Sequence, residues 1–158
     1  MENTKRSSYV NYLWLLTGSI ILIFIGLMYN FIFAAWVAPI FLIRFFRKSK
    51  TWYKALIAFP VLTGAVLLSV HGGWSMSLGA ELGVTIFRTI PLMIVLYLDR
   101  FTSTRLKGVP RTLVYPLAYV IIDHFLSLTP VVSTTFTFAG SQFILTPLVH
   151  MTSVTGLW

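Results

Sequence analysis

A chain of 158 residues that is 57% hydrophobic and 10% charged, with a mean hydropathy of +0.84, lacks the polar surface of a water-soluble domain, in which about 25% of residues are charged. The absence of cysteine excludes disulfides, thiolate-bound zinc and a thiol nucleophile within these residues. A net charge of +8 does not read as a nucleic-acid footprint, because the basic residues fall in short clusters between apolar stretches and not on one face.

Residues 7–43 carry no charge, which makes 37 residues, too many for one membrane helix of about 20 residues and suited to two. The break is expected at "MYN", 28–30, with spans near 10–28 and 31–46. Lys5 and Arg6 precede the first span as in a signal peptide. Its apolar core exceeds the roughly 7–15 residues of such peptides, so an uncleaved helix is expected. A third span covers 55–70, and "HGGWSMS" (71–77) closes it. The fourth, 78–98, is interrupted by Glu81 and Arg88, and the fifth follows "KGVPR" at 112–126. Beyond residue 129, "PVVSTTFTF" is β-branched and Thr-rich, a poor helix start that reads as an extended or re-entrant outer loop. The last apolar run is too short to cross a bilayer, so the tail either lies flat or is an incomplete last helix at the front of a longer protein. The expected architecture is an all-α integral membrane protein of about five helices, a single transmembrane domain with the outer loop and partial helix at 128–158.

Eleven of the twelve Lys and Arg residues fall before span one or in the connections 44–54 and 100–111. The loops after spans one, three and five contain none. The positive-inside rule then puts the N-terminus in the cytoplasm and the C-terminus outside. Trp14 and Trp52 would lie at the cytoplasmic interface and Trp74 at the outer one.

Arg88 lies about ten residues into the fourth span, where an unpaired charge costs at least about 2.5 kcal/mol. Glu81, seven residues earlier on roughly the same helix face, and Asp123 on the fifth span are its candidate partners. Either a tie between helices or a contact with a lipid headgroup would suit it. "GAELG" (79–83) has small-xxx-small spacing that could admit a neighbouring helix. His124 beside Asp123 could hold a proton or headgroup, or simply face water at the interface. Gln142 in the outer loop could cap backbone or touch substrate. No catalytic triad, phosphate-binding loop, metal set or cofactor motif is present in the pattern.

Three stretches carry a family likeness. "YPLAYVIIDHF" (115–125) resembles the Pro-x-x-Trp-x-x-x-Glu segment of the apolipoprotein N-acyltransferases, with Tyr119 and Asp123 at the Trp and Glu positions and Leu126 where an Arg often follows. "TFAGSQFILTPLVHMTSVTGLW" (137–158) resembles their Gly-Tyr-Ser-Gln-like element and the helix after it. "WVAPIFLIRFF" (36–46) is similar to their early Trp-x-x-x-x-Pro-Leu segment. The resemblance implies a bacterial inner-membrane protein that holds membrane phospholipid for acyl transfer to the N-terminal cysteine of a lipoprotein. It also implies a nitrilase-like domain with a Glu-Lys-Cys triad on the outer face, separate or missing here, without which these helices are expected to be inactive. The competing expectation is a small non-enzymatic multipass protein, a transporter subunit or a scaffold.

Overall fold

The computed structural model of the chain describes residues 2–25, 31–49, 52–72 and 77–127. Over these residues the protein is all-helical, with α1 (Glu2–Ile23), α2 (Ile32–Lys48), α3 (Trp52–Val70), α4 (Leu78–Ser103) and α5 (Val109–Ser127). The proposed break at 28–30, Trp74, the outer loop, the partial last helix and Gln142 lie outside the described residues.

The helix ends differ from those expected from hydropathy, and each difference has a local cause. The helix α1 runs back to Glu2, because its polar leading residues contain neither Gly nor Pro and are able to continue the turn. It gives way at Phe24 and Ile25, whose amides donate to Ile21 and Leu22 at 3.1 Å, and Phe31 then donates back to Phe24 at 2.8 Å. The helix α4 begins where the Ser77 hydroxyl accepts from the Ala80 amide at 3.4 Å, an N-cap in the usual position. It continues past Leu98 to Ser103 because the charge at Asp99 is neutralised inside the bundle. The helix α5 starts at Val109, ahead of the expected 112, since Pro110 is tolerated in a first turn whose amides have no helical acceptor. At the end of α3, Gly72 adopts φ 79°, the left-handed conformation that ends many helices and favours glycine.

Short connections make successive helices antiparallel. The pairs α1–α2 and α4–α5 pack closely, α3 packs on α1 and α4, and α2 packs on α4. Although only three residues separate α2 from α3, the two are joined at one end and are not a packed pair. Four helices thus form a ring in the order α1, α2, α4, α3, with α5 against α4. One end of the bundle gathers the end of α2, the end of α4 and the start of α5. It is called the basic end below.

The core is built from Leu15 and Leu22 of α1, Ala38, Leu42, Phe45 and Phe46 of α2, Leu62 and Val66 of α3, and Leu92 and Leu96 of α4. Aromatic rings link three helices: Tyr12 to Phe45 at 6.2 Å, Phe45 to Phe46 at 5.5 Å and Phe46 to Tyr97 at 5.5 Å. Helices α1 and α2 approach closely at Gly18. A Cβ there would stand 2.7 Å from Leu42 Cδ2 and 3.2 Å from Phe41 Cβ. The expected small-residue seam at Gly79 and Gly83 is not used in this way, because a Cβ at either position meets nothing within 4 Å. Among the described glycines, the one that meets a neighbouring helix is on α1.

Outside this core the usual arrangement of a water-soluble bundle is reversed. Large apolar side chains such as Leu13, Phe33, Ile40, Leu82, Ile86, Ile90, Leu117 and Ile121 are exposed, while Ser19, Glu81, Thr85, Thr89, Asp99 and Asp123 are buried. Among the described residues one helix, Leu78–Ser103, is long and apolar enough to cross a membrane by length and composition, and Tyr9–Ile23 and Leu56–Val70 are shorter apolar segments.

Candidate functional site: the inner face of α4

The residues of α4 that face the bundle recur every three or four positions: Glu81, Thr85, Thr89, Leu92, Leu96, Asp99 and Ser103. That spacing is one helical face. Its chemistry changes along the axis, with polar groups for the first three turns, aliphatic ones for the next two, and polar groups again at the end. Three electrostatic contacts are arranged along it.

At the basic end Arg47 of α2 grips Asp99 with both arms of its guanidinium. Nε donates to Oδ2 at 2.7 Å and Nη2 to Oδ1 at 2.6 Å. Nη2 also donates to the main-chain carbonyl of Arg111 at 3.0 Å, so one side chain ties α2, α4 and the first turn of α5. Asp99 is 0% exposed and Arg47 21%. Two parallel charge-assisted bonds of this kind are geometrically specific as well as strong. Nearby, the Arg44 guanidinium lies 4.4 Å over the ring of Trp14, a cation–π contact between α2 and α1.

At the opposite end Glu81 accepts or shares a proton with Nδ1 of His71 at 2.9 Å. The Glu81 side chain is 5% exposed and that of His71 is 65% exposed. Seven residues along a helix are about 10.5 Å, a long reach for Glu81 toward Arg88, whereas the end of α3 delivers His71 directly. Of the two candidate partners for Arg88, the structure favours Asp123. Arg88 interacts electrostatically with Asp123 and Tyr119, both on α5. The register follows from the hairpin, since Arg88 lies 15 residues before the end of α4 and Asp123 lies 14 after the start of α5.

Arg88 also lines a cavity of about 40 Å³ with Leu22, Ile25, Val66, Ser69, Leu92 and Tyr119. That is room for a water or two and too little for a lipid headgroup. Asp123 is buried, but His124 is turned to the exposed surface, with its ring 6.2 Å from that of Phe125. Neighbouring residues on a helix diverge by about 100°, so Asp123 and His124 do not converge on one site. Several hydroxyls that could have served as nucleophiles instead donate to carbonyls of the preceding turn: Ser49 to Phe45, Thr63 to Phe59, Ser69 to Val66 and Thr89 to Thr85. Among the described residues no three His, Asp or Glu side chains converge as a metal set.

Sequence reasoning assigned Arg47 to a loop and gave Asp99 no role. The available signal was scarcity: the chain has four acidic residues, and an acid placed at the edge of an apolar run among basic clusters needs a partner. His71 as the partner of Glu81 was also missed, because the contact crosses from α3 to α4. The chain matches no protein-family model, no curated protein and no solved structure.

Proposed function

We propose that the chain is a multipass membrane protein, a five-helix bundle with its N-terminus in the cytoplasm, whose role is to hold lipid for a reaction carried out by another domain or protein. The observation that carries the membrane reading is the reversed distribution of polarity. On α4, Leu82, Ile86, Ile90, Ile94 and Leu98 are exposed while Glu81, Thr85, Thr89 and Asp99 are buried. In water this would leave a long apolar stripe without cover, whereas in hydrocarbon it is the favoured arrangement, with ionisable groups facing protein and paired. Helices of 17 to 26 residues have lengths of about 26–39 Å, comparable with a hydrocarbon core of about 30 Å.

The lipid-holding part rests on the resemblance to the membrane part of the apolipoprotein N-acyltransferases. With no cysteine in the chain, the acyl-thioester of that family would form on another polypeptide segment. A second reading, a scaffold that organises other membrane helices, is favoured by one observation. The acids of α4 are taken up by other parts of the bundle, Asp99 by Arg47 of α2 and Glu81 by His71 at the end of α3.

Extraction with alkaline carbonate and reporter fusions test the membrane reading. The protein should stay in the pellet, and fusions after Lys50, His71, Lys107 and Trp158 should report in, out, in and out. Release into the supernatant, or a cytoplasmic signal at Trp158, would refute the five-span arrangement. A photoactivatable phosphatidylethanolamine separates the two roles: labelling concentrated near Arg88 and Tyr119 supports lipid holding, and its absence there supports the scaffold.

A further inference from the structure

The basic end is the most strongly charged surface described. Between 44–48 and 100–111 it holds seven Lys and Arg residues against the single acid Asp99, a surplus of six positive charges. Asp99 is wholly enclosed and bound by Arg47, so it does not neutralise the exposed cations beside it. Large apolar side chains are interleaved with these cations. Phe101, Leu106 and Val109 are exposed, and the Arg105 guanidinium lies 4.6 Å over the ring of Phe101. Lys107 lies exposed in the same connection between α4 and α5.

We propose that this end is a docking surface for the headgroups of anionic phospholipids in the leaflet it faces, with Arg105 and Lys107 as its principal contacts. The proposal rests on the membrane reading above. A phosphodiester supplies the negative charge, and its acyl chains cover the apolar residues beside the cations. A soluble acidic protein or an RNA would match the charge but leave Phe101, Leu106 and Val109 against water. Clusters of four to eight basic residues at the cytoplasmic end of membrane helices attract anionic lipid by about 1 kcal/mol per residue. This corresponds to about fivefold in affinity for each residue removed, or about thirtyfold for a pair.

The test uses the full chain in a mild non-ionic detergent. Dioleoyl-phosphatidylglycerol or dioleoyl-phosphatidylcholine is titrated in, and bound lipid is counted by native mass spectrometry while the thermal midpoint is followed. Phosphatidylglycerol should be retained preferentially and should raise the midpoint. The variant Arg105→Gln/Lys107→Gln, confined to the connection and leaving the Asp99 tie intact, should lose about thirtyfold in affinity for phosphatidylglycerol and nothing for phosphatidylcholine. Equal effects of the two lipids, or unchanged selectivity in the variant, would overturn the proposal. So would a midpoint raised by polyglutamate or a short RNA but not by phosphatidylglycerol. Carbonate extraction of the same variant separates this failure from failure of the membrane reading, because the variant should remain in the membrane pellet whichever lipid it prefers.

Discussion

Replacing Arg47 with Met should be the most damaging single change at the basic end. Methionine keeps an apolar stem of similar length and removes the guanidinium. The variant loses two short bonds to the Asp99 carboxylate and one to the Arg111 carbonyl. Hydrogen bonds involving a charged group contribute about 1.5–3 kcal/mol each. The partial exposure of Arg47, 21%, lets water compensate some of that loss on the arginine side. Asp99 has no such recourse, being 0% exposed, and a buried charge left without its partner costs about 3–5 kcal/mol. The expected loss is therefore about 3–4 kcal/mol. Asp99→Asn should cost less, about 2 kcal/mol, because it keeps the volume while Arg47 can turn toward solvent. Arg47→Met/Asp99→Leu should lie within about 1 kcal/mol of the parent, since neither partner remains unpaired. Unfolding in mixed micelles, followed by tryptophan fluorescence against the mole fraction of sodium dodecyl sulfate, measures all four proteins. If Arg47→Met unfolds with the parent, or if Arg47→Met/Asp99→Leu is no more stable than Arg47→Met, the tie does not join these helices.

Arg88→Leu and Asp123→Asn should be strongly non-additive, by about 1 kcal/mol or more, whereas Arg88→Leu and Glu81→Gln should add; coupling with Glu81 in the same unfolding assay would contradict the preference of Arg88 for Asp123. Glu81→Gln and His71→Ala should couple by less than about 1 kcal/mol, because His71 is largely exposed; a larger coupling would require a more buried contact. Gly18→Val should cost about 2 kcal/mol by overpacking against Leu42, and Leu42→Ala should relieve part of it, whereas Gly83→Val should be near neutral; equal effects at the two glycines would place the close helix approach elsewhere. The purified chain should show no acyl transfer from phospholipid to a lipopeptide, monitored by mass shift of the peptide, and activity that disappeared on changing one of its serines would overturn the lipid-holding role.

The helical character of the chain was legible from apolar stretches separated by Gly, Pro and basic clusters, because intervals of 15 to 20 apolar residues accommodate little else. The need of Arg88 for company was equally legible, since a cation in an apolar run is costly wherever the helix lies. Its company was not. Glu81 and Asp123 were equivalent as letters, and the choice between them depended on the hairpin register of α4 and α5 and on α3 ending with His71 beside Glu81. Local signals also cut the fourth and fifth helices short. Pro110 and Asp99 look like helix enders by hydropathy, yet a first-turn proline leaves no needed donor missing and a neutralised carboxylate lets α4 run on. The Arg47–Asp99 tie spans 52 positions and Gly18 of α1 meets Leu42 of α2, so both depend on which faces come together. Periodicity along one helix carries no information about the partner opposite; packing supplies it.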